Sequence, residues 1–376
     1  MRNLFRDKTR LLQTLGGSAL VVLLVMVAAA LSAGMEGVLS ASGSPENVIL
    51  MGTGSEESLQ RSEIPEQAAG IAETSVPGVA ERLGARAVST EIHYMTHVRI
   101  GDAPPTQVYF RGIVPNALLT HPQVRLIEGR FPKSGEVMVG RLAWRKLGVP
   151  RDALAPGRNF KADKVDLRVS GIFAADGTVM ESEFWAPIGD VRAASQRDTV
   201  SCVVLRLDDP DGFGDADLFA KQRPDLELSA QRESDYYARL SQFYRPVRIM
   251  TWITAGLIGA GAVFGGLNTL YAAFASRMRE TATLQSIGFT RLALLSTFIQ
   301  ESMMACLGGT LVAMVLALIL VDGFTIAFSI GAFTLHVTPG VVLTGLATGI
   351  ALGVLGSIPP AIRCLRPPLP SALRSA

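Results

Sequence analysis

The side chains that could do chemistry are few and scattered. His93 and His97 stand four residues apart, but Tyr94-Met95-Thr96 between them lacks the Glu of an H-E-x-x-H zinc site, and the stretch has the character of a strand. The pair therefore reads as satisfied or exposed histidines. Asp208, Asp209, Asp211, Asp215 and Asp217 crowd one segment as calcium-loop acids do. No Glu closes a twelve-residue loop, so a solvated, helix-capping turn is expected. None of the serines sits in G-x-S-x-G. Cys202, Cys306 and Cys364 have no metal-ligand spacing, so three unreactive thiols are expected. No catalytic, cofactor-binding or metal-ligating set emerges. Two polar residues interrupt apolar runs. Glu301, if inside a bilayer, costs at least ~2.5 kcal/mol to insert and is a functional candidate. If its helix enters the bilayer later, it lies at headgroup level beside Thr297, Gln300 and Ser302. Asn268 could pair across helices.

The elements that carry these residues are set by where charge is missing. The chain has 376 residues, 48% hydrophobic and 18% charged, against about 25% charge in an ordinary soluble chain. No charge occurs between Arg10 and Glu36 or between Arg248 and Arg277. From Arg291 to Arg363 there are only Glu301 and Asp322. Runs of roughly 18 or more uncharged apolar residues are the mark of bilayer-spanning helices. A wholly soluble enzyme is excluded. So is a nucleic-acid binder, because the net charge is +2 with no basic face.

Four spans are expected, with apolar cores at about 15–33, 249–276, 294–321 and 341–362. Residues 1–14, 277–293 and 363–376 hold ten basic and two acidic residues, whereas 36–248 holds 25 basic and 29 acidic. Short basic loops stay in the cytoplasm, and long domains cross largely regardless of charge. The expected layout is a cytoplasmic N-terminus (1–14), helix 1 (15–35), an extracytoplasmic domain (36–245) and helix 2 with its stalk (246–276). A cytoplasmic loop (277–293), helix 3 (294–321), an extracytoplasmic loop (322–340), helix 4 (341–362) and a cytoplasmic tail (363–376) follow. The first span has the basic start and small-residue exit of a secretory signal, but its ~19 apolar residues exceed the usual 7–15. Cleavage there would leave the remaining topology intact.

The fold class expected is thus a membrane protein of four transmembrane helices with a large α+β domain between helices 1 and 2. Strands are expected at 48–51, 106–114, 165–173 and 201–207, and helices at 64–74, 140–147 and 216–222. Apolar residues recur at helical spacing over 233–245, leading into the second span with a kink at Pro246. That segment is either a rod that transmits force or a helix docked on its domain. In the spans, Gly345, Gly349 and Gly353 form small-x-x-x-small repeats, and Gly256, Gly259, Gly261, Gly265 and Gly266 do likewise, as helix packing or a dimer seam requires.

The loop Ser276-Arg277-Met278-Arg279-Glu280-Thr281-Ala282-Thr283-Leu284-Gln285-Ser286-Ile287-Gly288 carries the most information. Residues 280–287 make two helical turns, Leu284 and Ile287 share a face, and Gly288 is a C-cap. Such a helix suits docking to a soluble partner, though a plain connector would show the same pattern.

It resembles the R-x-R-E-x-x-x-L-x-x-I/L-G signature of FtsX-like, MacB-type permeases of ATP-binding-cassette transporters, through Arg277, Arg279, Glu280, Leu284, Ile287 and Gly288. Glu301 followed by Gly308-Gly309 is similar to the acid and Gly-Gly pair of that family. So are the start Arg2-Asn3-Leu4-Phe5-Arg6, the stretch Glu128-Gly129-Arg130-Phe131 with Gly135-Glu136-Val137, and the ending Pro359-Pro360-Ala361…Arg366-Pro367. Gln285-Ser286 departs from the usual Arg-Ala. No G-x-x-x-x-G-K-[ST] occurs, so the chain has no P-loop of its own.

The resemblance implies a non-enzymatic permease in the bacterial cytoplasmic (inner) membrane, with both termini inside. ATP and Mg would be bound by a separate ATPase subunit, docked on Arg279, Glu280, Leu284, Ile287 and Gly288. A second permease copy and a periplasmic adaptor are further expected partners. The implied work is mechanical coupling that exports or extracts a hydrophobic or amphiphilic cargo. Regulation of a cell-wall hydrolase, or a stand-alone receptor, are the rival readings.

Overall fold

The computed structural model describes residues 8–101, 103–163, 165–329 and 331–366. The motif residues Arg2 to Arg6 and Pro367 lie outside them. The chain opens with α1 (Lys8–Ser42), β1 (Asn47–Gly52), α2 (Gln67–Ser75), the short strands β2 (Glu81–Arg82) and β3 (Ala85–Arg86), and β4 (Val88–Arg99). There follow β5 (Thr106–Ile113), α3 (Ala117–Thr120), β6 (Arg125–Gly129), β7 (Glu136–Gly140), α4 (Ala143–Leu147), β8 (Asn159–Ala162) and β9 (Val165–Ala174). The α+β stretch ends with β10 (Phe184–Pro187), α5 (Ile188–Ser195), β11 (Cys202–Arg206), α6 (Phe213–Gln222), β12 (Leu228–Arg232) and α7 (Glu233–Phe243). Then come α8 (Arg245–Ala275), α9 (Met278–Ser286), α10 (Arg291–Leu320), the hairpin β13 (Thr325–Ala327) and β14 (Ala332–Thr334), and α11 (Pro339–Leu365).

Two compact units result. One is helical and takes the chain up to residue 33, residues 245–324 and those from 335 onward. The other is α+β and takes 34–244 with 325–334. In the helical unit α1, α8, α10 and α11 are long and apolar enough to cross a membrane, four helices where four charge-free runs stand in the sequence.

In the α+β unit, β4 belongs to two sheets. Its first residues pair antiparallel with β11, giving the order β12-β1-β11-β4. From Ile92 onward it pairs with β5, which runs parallel to β10. β10 is antiparallel to β7, β7 parallel to β9, β9 antiparallel to β8, and β8 returns antiparallel to β4. The six strands β4, β5, β10, β7, β9 and β8 therefore close a ring, which removes free edges. Register shifts at Val137/Met138 and Leu126/Glu128 supply local bending. Phe110, Phe160 and Phe184 pack inside, with ring centroids 5.3 and 5.7 Å apart.

The four strands expected from β-branched and aromatic runs are β1, β5, β9 and β11. Three helices differ from expectation. The one expected at 64–74 begins at Gln67, because Ile64 is bridged to Val200. The one expected at 140–147 keeps only α4, because residues up to Gly140 extend strand β7. The 233–245 helix does not run on with a kink at Pro246. α7 stops at Phe243, Tyr244 has φ −85° and ψ −2°, and a new helix starts at Arg245. Pro246 then sits in the first turn of α8, where its missing N–H costs nothing. The hairpin β13–β14 packs into the α+β unit. Lys146 Nζ donates to Ser329 O at 3.1 Å, Tyr244 Oη lies 2.7 Å from Ser329 Oγ, and Arg145 pairs with Thr325.

Candidate functional site

In the helical unit the residues around α9 form a braced elbow. Arg277 is its N-cap position, and its Nη1 donates to both carboxylate oxygens of Glu301, at 2.9 and 2.8 Å. Both side chains are about one-fifth exposed. Glu301 is thus a half-buried acid one helix away from the cation it holds, and the pair staples the start of α9 to α10. Thr281 and Ala282 turn inward. Phe274 and Phe298 stack behind the elbow at 4.3 Å, in a cluster with Ala273, Leu294, Ala361 and Leu365.

The other end is fixed by Gly288, whose φ of +109° is open to glycine alone among common residues. This lets the Gly288 amide donate to Gln285 O and the Phe289 amide to Leu284 O, both at 3.1 Å, closing the helix end. Thr290 then caps α10, its Oγ1 accepting from the Ala293 amide at 3.2 Å. Between staple and cap the helix presents Arg279, Glu280, Leu284 and Ile287 outward. Ile287 is 72% exposed, and Phe289, which the motif did not flag, is 54% exposed. A rigid, half-apolar and half-charged ridge of this kind has the makings of a docking face.

The glycines divide. A Cβ on Gly345 would lie 2.8 Å from Met26, on Gly349 1.9 Å from Thr310 Oγ1, and on Gly353 2.7 Å from Met303 Cα. That stripe is filled by α1 and α10 of the same chain, so it is no open seam for a second copy. A Cβ on Gly256, Gly261 or Gly266 of α8 would meet nothing within 4 Å among the described residues, and on Gly259 only Val21. Asn268, on the same helix, is exposed.

The α+β unit holds a buried charge network that sequence spacing did not reveal. Arg111 on β5 donates from Nη1 to Glu91 Oε2 at 2.6 Å, and from Nε and Nη2 to the two oxygens of Glu183 at 2.8 and 2.9 Å. Trp185 Nε1 donates to Glu183 at 2.8 Å. His121 Nε2 lies 2.8 Å from Glu91 Oε1, and His93 Nδ1 lies 2.8 Å from Tyr109 Oη. Burial pushes the Glu91 and Glu183 carboxyls up, but Arg111 together with His121 and His93 at Glu91, and with Trp185 at Glu183, outweighs it, and both end below the usual carboxylate range. His97, four residues from His93, is exposed, so the two histidines share no site. The signal available was a charge within an apolar strand at Glu91 and Arg111, and one directly before the apolar run of β10 at Glu183.

Glu91, His93 and Cys202 present donor atoms within 4.8 Å of one another. The Arg111 guanidinium already holds Glu91, and burial pushes the Cys202 thiol well up, so the trio is a hydrogen-bonding set rather than a cation cage. The Asp-rich segment is a capped turn, with Asp209 Oδ1 accepting from the Asp211 amide at 2.9 Å. All three cysteines are free and buried.

Four long apolar helices, an α+β insertion after the first and an exposed elbow between the second and third define a multi-pass membrane protein. The MacB-like periplasmic core domain matches residues 12–216, and the FtsX-like permease C-terminal domain matches 252–369. The chain belongs to the FtsX-like, MacB-type permease family of ATP-binding-cassette transporters. Among curated proteins it is 27% identical over 232 residues to the macrolide export ATP-binding/permease protein MacB 1/2 of Paracoccus denitrificans (strain Pd 1222). That match covers 57% of this chain and 33% of the relative, so the chain spans about a third of the relative's length. Two solved structures are also similar. The extracellular domain of the noncanonic ABC-type transporter YknZ from Gram-positive bacteria is 14% identical, covering 50% of this chain and 98% of that one, with a TM-score of 0.39. The periplasmic region of MacB from Actinobacillus actinomycetemcomitans is 11% identical, covering 54% and 94%, also with a TM-score of 0.39.

Proposed function

We infer that this chain is the membrane subunit through which a separate cytoplasmic ATPase moves the α+β unit, exporting or extracting a hydrophobic or amphiphilic cargo. The supporting observation is the elbow: Leu284, Ile287 and Phe289 stand exposed on a short helix braced by Arg277–Glu301 at one end and capped by Gly288 at the other. Apolar side chains held rigidly in water favour burial by a partner, and the Arg279 and Glu280 charges beside them set register. ATP and Mg belong to that partner.

The charge bias of the loops puts the elbow and both termini in the cytoplasm and residues 36–245 outside, in the inner membrane of a bacterium. A second permease copy meets the face of α8 that carries Gly261, where Met250, Leu257 and Phe264 are also exposed. The Paracoccus denitrificans relative is named for macrolide export, which is consistent with an apolar cargo.

Replacing Glu280 by Lys tests the reading. The variant should fold and insert, yet lose transport while the ATPase continues to hydrolyse ATP. Full transport by E280K would refute the docking assignment, and co-purification of the chain without any ATPase would refute the complex.

A further inference from the structure

His121 lies with one ring nitrogen on each of two buried carboxylates. Its Nε2 is 2.8 Å from Glu91 Oε1, and its Nδ1 faces Glu233 Oε1 at 3.7 Å with no hydrogen-bond partner among the described residues. Glu91 is held ionised by Arg111 and can only accept, so His121 Nε2 carries a hydrogen and donates to it. The other oxygen of Glu233 accepts from the Ser44 amide at 3.0 Å and from Asn47 Nδ2 at 2.9 Å. Its Oε1 is therefore left facing Nδ1. If neither carried a proton, two lone pairs would oppose each other in a site without water contact, since His121 is fully buried and Glu233 is 2% exposed.

Counting charges leads the same way. Glu91, Glu183 and Glu233 face Arg111, and His93 stays neutral, because burial and Arg111 push its ring down. With all three carboxylates ionised two negative charges stay uncompensated, and because burial pushes the Glu233 carboxyl up, one proton held in the His121–Glu233 pair reduces that excess to a single charge. The remaining groups packed around the pair are Tyr109, Trp185, Cys202, Tyr236 and Tyr237, and burial pushes the Tyr109, Tyr236, Tyr237 and Cys202 hydroxyls and thiol up, so none supplies charge.

Glu233 is also a junction. It is the first residue of α7, the helix that precedes α8, and through Ser44 and Asn47 it grips the chain just after α1 leaves off. Gly43 packs so closely there that a Cβ would sit 2.7 Å from Glu233 O. We propose that His121 is a proton-binding site, bridging Glu91 and Glu233, and that its proton locks two segments of the α+β unit, residues 43–47 and the start of α7, onto its strands. Proton loss sets the Glu233 carboxylate against the imidazole lone pair, and the cheapest relief is movement of Glu233 with the segments it holds. The site needs no ATPase, so it stands or falls apart from the reading above.

Trp185 supplies an internal reporter, since its ring lies edge-on to His121 at 5.9 Å. The full chain in detergent, with Trp144→Phe and Trp252→Phe, leaves Trp185 as the single emitter. Its emission, quenched by the nearby imidazolium, should rise as pH increases, with a midpoint above the ordinary His value of about 6.5. Glu233→Gln should lower that midpoint by about one unit, and His121→Gln should abolish the transition. Hydrogen exchange of residues 43–47, corrected for intrinsic rates, should speed up about tenfold for each unit of pH above the midpoint. Emission flat from pH 5 to 9, or a transition that survives in His121→Gln, would overturn the proton site. Exchange at 43–47 that ignores the transition would overturn the lock. The parent needs neither charge variant to fold, so its titration decides by itself.

Discussion

Arg277 reaches from the turn after α8 to Glu301 on α10 and binds both of its carboxylate oxygens, at 2.9 and 2.8 Å. The acid that looks costly inside an apolar helix is thereby turned into an anchor. The direction of α9 is fixed at its first residue by a bond to a different helix, and the backbone turn at Gly288 fixes its last.

Breaking the staple should uncouple without unfolding. Glu301→Gln and Arg277→Met should each cost about 1–2 kcal/mol of stability, since a charge-assisted pair is lost at a largely buried site. Transport should fall at least about tenfold while ATP hydrolysis persists. The exchange Arg277→Glu with Glu301→Arg should recover part of the coupling, and a double variant no better than the singles would count against the staple.

Leu284→Asp and Ile287→Asp should weaken capture of the ATPase subunit by about tenfold or more, as loss of an interface anchor does. Both side chains are exposed, so the melting temperature of the isolated chain should barely move. Pull-down titrations beside thermal scans separate the two effects.

The two glycine stripes should respond in opposite ways. Gly349→Val drives a side chain into Thr310 and should destabilise the helical unit by about 1–3 kcal/mol. Gly261→Val meets open space, should leave stability within about 0.5 kcal/mol, and should reduce self-association in detergent. Cross-linking yield set beside thermal stability reads both.

Within the α+β unit, Arg111→Met strands Glu91 and Glu183 as unpaired buried anions and should cost about 3–5 kcal/mol. Arg130→Ala removes the exposed pair with Glu136 and should leave stability almost unchanged. Denaturant unfolding of the two variants gives the comparison, and equal losses would mean the buried network holds nothing together.

Stability should depend on pH from both sides. Glu91 and Glu183 lie below the ordinary carboxylate range, so their contribution is present above about 4.3 and is lost as pH falls through their lowered values. Burial pushes His121 down, but Glu91 outweighs it and the ring ends above its ordinary value. Its contribution is full below about 6.5 and is lost as pH rises through the raised value. His93, pushed down by burial and Arg111, adds a loss as pH falls below about 6.5. Burial pushes the Glu233 carboxyl up, so it too loses its contribution as pH rises, and His121→Asn should shrink the alkaline decline while keeping that on the acid side, in melting temperatures taken from pH 4 to 9.

The sequence by itself determined which helices are long and apolar enough to span a membrane, because a lipid-facing helix must be apolar and nearly charge-free along its whole length, and that is a local property. It also determined the elbow, since Arg279, Glu280, Leu284, Ile287 and Gly288 lie within ten residues and their relations are those of one short helix. Tertiary structure alone decided the rest. His93 and His97 look alike along the chain, and only the packing of β4 against its neighbours buries one and exposes the other. Arg111 meets Glu91 and Glu183 because the ring closes strands 20 and 72 residues apart. The glycines of α11 and α8 share one pattern, and only the neighbours that fill the first stripe distinguish it from the open one. Non-local pairing leaves no period in the sequence, so a buried charge, a packed glycine and an exposed one read the same until the fold places them.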